Sequence, residues 1–139
     1  MGIKMTWYYN NVIVEDAPMK YVGFVYEIHD THNQRYYIGK KLLWTTKKLP
    51  PLKGGINKRH RRVETDWQDY YGSSLALNAE RLHLGNQHFK RKILYLCENK
   101  NQMSYYETLE QFNRGVLFKD EYYNGIISCR ISARGLKSV

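Results

Sequence analysis

From Tyr21 to Ile28 apolar residues run almost without interruption (Tyr-Val-Gly-Phe-Val-Tyr-Glu-Ile), and their β-branched and aromatic character predicts a largely buried strand. The polar cluster His29 to Gln34 is turn-forming, and Arg35 to Gly39 predicts a second short strand, so the two form a hairpin. Further along, Leu75, Ala79 and Leu82 fall at helical spacing behind Ser73 or Ser74 as a cap, with Gly85 where a terminating glycine belongs. His88 to Cys97 begins amphipathic and ends apolar, as a third strand would. Over about 102 to 113, Tyr105, Leu109 and Phe112 share one stripe and predict a second helix.

Two stretches escape this periodicity. Residues 1–20, with an aromatic patch at Trp7 to Tyr9 and a break at Pro18, read as an arm packed on the domain. Residues 40–67 contain Pro50, Pro51 and the pair Gly54-Gly55, so they cannot be one uninterrupted helix and predict a long, partly irregular excursion. The element order describes a small α/β (α+β) domain: a three-stranded, mainly antiparallel sheet flanked by helices, with an insertion after the second strand.

Composition adds a partner. The chain's 139 residues suit a single core. Its thirteen tyrosines, three tryptophans and net charge of +9 point to a polyanion. No acid occurs between Asp30 and Glu64, while ten of the 22 Lys and Arg residues fall there. A solvated charged surface is the plain reading of such a run, and the interleaved Trp44 and Trp67 favour nucleic acid instead. Cys97 and Cys129 lie in different segments without metal-ligand spacing, which argues against a zinc site or a disulfide framework. No apolar run approaches the roughly 20 residues that span a bilayer, and the N-terminus lacks a secretory apolar region. The expectation is a soluble cytoplasmic protein.

Candidate chemistry begins with Phe24-Val25-Tyr26 and Tyr37-Ile38-Gly39, whose tyrosines are eleven apart. Across an antiparallel hairpin that spacing brings them within about one residue pair of each other. Alone they are two aromatics in a tyrosine-rich chain. Tyr71-Gly72-Ser73-Ser74, Phe89 to Leu94, Tyr106-Glu107 and Tyr123-Asn124 follow in order. Together these blocks resemble the GIY-YIG nucleases over about residues 21–128, leaving 1–20 as an arm and 129–139 as a basic tail. Phe24 and Val25 replace the Gly and Ile of the first triplet. The run Tyr37-Ile38-Gly39-Lys40-Lys41 is closest to a phage-encoded branch commonly described as homing endonucleases.

The resemblance implies a metal-dependent DNA endonuclease. Tyr26, with a lowered pKa, would be general base toward water, and Tyr37 would orient that water or a phosphate oxygen. Glu107 would hold Mg²⁺ (or Mn²⁺), a hard cation that needs few carboxylates, with Glu110 as the rival ligand. On its own helix Glu107 lies opposite the apolar stripe, where a Glu is usually just solvated. Asn124 matches the family's late Asn, though Asn124-Gly125 is also an ordinary turn pair. The family's arginine position carries Lys47 here, so Arg59 or Arg61 is expected to supply the guanidinium, with Lys40 in support. Lys41, Lys47, Lys48, Lys58, His60 and Arg62 are the expected DNA contacts. The rival reading is a basic, aromatic nucleic-acid-binding module without catalysis. A single metal site acts on one strand at a time, so cutting both strands would call for a homodimer, a partner or two visits, and the sequence shows no obvious appended recognition domain.

Overall fold

The computed structural model describes residues 6–57 and 59–137. In chain order they form β1 (Trp7–Tyr9), β2 (Val12–Val14), β3 (Gly23–Asp30), β4 (Arg35–Leu42), β5 (Trp44–Leu49), β6 (Arg59–Glu64), α1 (Leu75–Leu84), β7 (Phe89–Cys97) and α2 (Lys100–Arg114). The expected hairpin is β3 with β4. Asp30 closes its turn by accepting the backbone N–H of His32 at 3.0 Å and of Asn33 at 3.1 Å.

The sheet has five strands where the hydrophobic pattern predicts three, in the order β2-β1-β7-β3-β4. The extra pair is the N-terminal arm: β1 lies parallel to β7, and β2 turns back on β1 through Asn10 and Asn11, both at positive φ. Trp7 fixes it there, fully buried with its indole N–H donated to the Trp67 carbonyl at 2.7 Å. The sheet is therefore mixed, antiparallel except at this junction. The 40–67 excursion is also more regular than expected, because β5 and β6 pair as a separate two-stranded ribbon with Lys47 opposite Arg61 and Lys48 opposite His60.

Both helices lie where expected, but each turns the opposite face inward. Ser74 caps α1 by accepting the Leu77 N–H at 3.2 Å, and Gly85 ends it. Leu77 is its buried residue, while Leu75 and Leu82 of the expected stripe are almost fully exposed. On α2, capped by Asn99 and closed by Gly115 in the left-handed region, Met103, Thr108 and Gln111 are buried and Tyr105 and Phe112 face outward. The helix thus packs a partly polar face on β3 and β4, which brings Glu107 in against the sheet. Two cores result: Trp7, Phe24, Tyr26, Trp67 and Leu77 on one face, and Val25, Ile38, Cys97 and Met103 under α2 on the other. Among the described residues no helix is long and apolar enough to cross a membrane.

Candidate active site

Tyr26 stands opposite Gly39 and Tyr37 opposite Ile28, so the two tyrosines are diagonal neighbours on one face, ring centroids 6.2 Å apart. Two glycines make room for them. A Cβ at Gly39 would collide with the Tyr26 hydroxyl, and one at Gly72 would stand 3.1 Å from the Tyr37 ring and 3.2 Å from the Tyr26 hydroxyl. Beside Tyr26 the pairing of β3 with β7 shifts register, a bulge that re-aims the strand at this point. Trp7 packs edge-on against the Tyr26 ring at 5.3 Å.

Burial, with Tyr70 and Tyr37 alongside, pushes the Tyr26 hydroxyl well above the ordinary phenol value. The lowered pKa expected from nearby cations is not found. Lys41 lies over the neighbouring Tyr70 ring and bonds Asp66 at 2.7 Å. Tyr37, half-buried, shares a 2.9 Å hydrogen bond with the Ser73 hydroxyl. Burial raises its pKa too, outweighing that bond. Both tyrosines are neutral phenols at physiological pH.

A cleft of about 310 Å³ opens at the edge of β4, lined among others by Tyr37, Lys40, Ser73, Glu107, Gln111 and Asn124. Tyr37 and Lys40 alternate across the strand, so the cleft joins the two faces of the sheet around its edge. Tyr26, 1% exposed, lies behind it. The Glu107 carboxylate is 3.8 Å from the Lys40 ammonium, which also donates to the Ser104 hydroxyl at 2.9 Å. Burial lifts the Glu107 pKa above the usual carboxylate value, against the pull of Lys40. Glu110, the rival ligand, is already engaged: it accepts the Tyr95 hydroxyl at 2.6 Å and the Arg114 guanidinium at 2.9 Å. Burial works against its charge, yet these partners hold its pKa down, and Tyr95 is pushed up to about 12.

Asn124 does more than turn the chain. Residues 121–124 run along the outer edge of β4, Tyr36 donating to the Glu121 carbonyl and accepting from the Tyr123 N–H, each at 2.7 Å. The Asn124 side chain then accepts the Ile38 N–H at 3.0 Å and donates to its carbonyl at 2.8 Å, as a neighbouring strand would. Gln111, which sequence reasoning missed, donates its amide nitrogen to the same carbonyl at 3.2 Å and leaves its buried oxygen without a partner. Its only signal was a position four residues after Glu107.

The other basic candidates lie elsewhere. Lys47, Lys48, Arg59, His60 and Arg61 sit on the exposed β5–β6 ribbon and do not line the cleft. Arg59 donates to the Pro50 carbonyl at 3.2 Å. Arg62 is turned back onto the Met19 and Tyr21 carbonyls at 3.0 and 3.2 Å and covers the Trp44 ring at 4.4 Å. Lys58 lies outside the described residues. Trp67, expected to stack on bases, is a core residue with no exposed surface. Among the described residues Lys40 is therefore the basic candidate that reaches the cleft.

Among the described residues no three His, Cys, Asp or Glu side chains gather to hold a metal ion. The cleft nevertheless offers one carboxylate, one unpartnered amide oxygen and several hydroxyls. An all-oxygen donor set with few charges fits a hard divalent cation that keeps several of its waters, and does not fit zinc.

A family model described as "Putative endonuclease segE, GIY-YIG domain" matches residues 7–127. That span includes β1 and β2, the part of the sheet that the motifs alone leave out. Comparisons with curated proteins and with solved structures returned no significant match.

Proposed function

The chain belongs to the GIY-YIG nuclease superfamily, and from this premise we propose that it is a divalent-metal-dependent endonuclease hydrolysing DNA phosphodiester bonds. The carrying observation is that Tyr37, Lys40 and Glu107 line one cleft, in a chain that also carries an exposed basic ribbon suited to a phosphate backbone. The Tyr37-Ile38-Gly39-Lys40-Lys41 run supports the finer reading of a phage-type homing endonuclease.

Glu107 would hold the cation, which when bound neutralises charge on the leaving oxygen. Lys40, turning from Glu107 and Ser104 to a phosphate oxygen, stabilises the negative charge that grows as water attacks phosphorus. Two neutral phenols suit proton relay better than storage of a phenolate. Tyr37 accepts the proton of the attacking water while passing its own to a phosphate oxygen, so none is left over. Tyr26, the ring behind it, sets Tyr37's position and the polarity around its hydroxyl. Asn124 and Gln111 are positioning residues, holding the strand that carries Tyr37 and Lys40.

The test is supercoiled plasmid incubated with and without Mg²⁺, with Glu107→Ala alongside wild type. The variant is expected to lose cleavage by about a thousandfold, the upper range for one transition-state electrostatic contact. Gel-shift affinity should stay near wild type, because the basic surface supports association. Cleavage by Glu107→Ala at the native rate would refute the assignment.

A further inference from the structure

The Gln111 amide oxygen has no partner. Its residue is 4% exposed, so the oxygen is sealed from bulk water, and an unsatisfied buried acceptor costs about 1–3 kcal/mol. The orientation is fixed by chemistry, since the Ile38 carbonyl can only accept and the amide must therefore present its nitrogen there at 3.2 Å. The oxygen is what remains. Gln111 stands one helical turn after Glu107, on the same inward face of α2, and both line the cleft at the β4 edge. Paired ligands four residues apart on one helix face are a recurrent way to hold a metal ion.

We infer that Gln111 supplies a second protein oxygen, beside the Glu107 carboxylate, to a hard divalent cation in this cleft. The inference rests on the proposed role of Glu107 and adds a neutral ligand to it. An amide oxygen is an accepted donor for Mg²⁺ and Mn²⁺. It adds no charge, which suits a cleft that must also admit phosphate. The amide nitrogen beside it is held before the cation arrives: the Ile38 carbonyl accepts it at 3.2 Å and accepts the Asn124 amide at 2.8 Å. Ligand geometry is thereby coupled to the strand carrying Tyr37 and Lys40.

The decisive measurement is Mn²⁺ binding, by electron paramagnetic resonance and calorimetry, on the full chain without DNA. It compares wild type, Gln111→Leu and Glu107→Gln. Leucine keeps most of the glutamine volume and removes the oxygen. Gln111→Leu is expected to weaken Mn²⁺ binding at least about tenfold, within the range for losing a group that holds or orients a metal. Its melting temperature without metal should stay within a few degrees of wild type. Gln111→Asn, whose oxygen is withdrawn by one methylene, should also bind weakly and guards against a leucine-specific packing defect. Unchanged Mn²⁺ affinity in Gln111→Leu, with affinity lost in Glu107→Gln, overturns the inference and leaves Glu107 as the ligand. Affinity retained in Glu107→Gln overturns the Glu107 assignment itself. No Mn²⁺ binding by wild type counts against both.

Discussion

Two hairpins follow one another in this chain and differ in almost everything but their pairing. In β3 six of eight residues are buried and the other two half-buried, whereas in the β5–β6 ribbon none is buried and nine of twelve are exposed. The first is positioned by packing: Trp7, the bulge at Tyr26 and the gaps at Gly39 and Gly72 leave Tyr26 and Tyr37 little freedom. The second is fastened mainly at its root, where Arg62 bonds Met19 and Tyr21 and Thr65 donates to the Leu42 carbonyl at 2.6 Å. Chemistry needs atoms held to fractions of an ångström. Association with a polyanion needs only charge at about the right range. The two structural styles fit those two needs: under the proposed function, rate belongs to the first hairpin and affinity to the second.

The sharpest way to break that division is at the tyrosines. Tyr37→Phe is expected to lower the single-turnover rate at saturating DNA by at least about a hundredfold, the scale of positioned proton transfer, while leaving the salt dependence of binding unchanged. Tyr26→Phe should retain the fold, and a loss of similar size would extend the proton relay to both phenols. A near-native rate in Tyr37→Phe would show that tyrosine to be structural. Because burial raises both phenols, the wild-type rate should not climb with a tyrosine ionisation below their ordinary range, which a pH–rate profile checks directly.

A milder effect is expected from the ribbon. Neutralising Lys47, Lys48 and Arg61 together should weaken DNA binding across all sequences. The slope of log affinity against log salt should flatten by nearly one unit for each phosphate that the protein no longer neutralises. The rate at saturating DNA should hold. If the rate falls instead, one of these side chains reaches the reacting phosphate in the complex and the division fails.

The smallest effect concerns the cost of readiness in the packed site. Burial raises the Glu107 pKa, so the folded protein binds that proton more tightly than the unfolded chain. The associated stability is fully present below the unfolded value of about 4.3 and is lost as pH rises through the higher folded value. Glu107→Gln should therefore unfold at higher denaturant than wild type near pH 7, and the difference should vanish below about pH 4, where both side chains are neutral. An equal midpoint at both pH values would show that Glu107 carries no such penalty.

What could be read from the sequence follows the same division. The packed hairpin announced itself through its apolar run and its Tyr–Tyr spacing, and β7 did so through its apolar end. The ribbon did not, because alternation marks a strand only when one of its faces is buried, and Lys47-Lys48 and Arg61-Arg62 are exposed on both. Both helix stripes were inverted for a related reason. The inward face of α2 carries Glu107, Thr108 and Gln111 because that face builds the cleft, so apolar periodicity pointed to Tyr105 and Phe112 on the outside. Glu107 over Glu110 was legible only through the family's Tyr-Glu pair; the ion pairing of Glu110 to Arg114 was not. Asn10-Asn11 was a readable turn signal for β1 and β2, but strands three residues long fall below what periodicity can detect.

The segment from Glu121 to Asn124 also bears on self-association. A sheet's outermost strand offers unpaired backbone groups that can recruit another chain into edge-to-edge aggregates. At β4 those of Tyr36 and Ile38 are already engaged, by the Tyr123 and Glu121 backbone around Tyr36 and by the Asn124 amide at Ile38. The stretch of strand on either side of Tyr37 is thus closed to templated growth without being thickened by another strand. The opposite margin of the sheet, β2, has no such cover among the described residues, and Val12 and Ile13 stand exposed on it at 66% and 49%. Oligomers built by strand addition would nucleate there, at the end of the sheet farthest from the cleft, and would leave the cleft accessible.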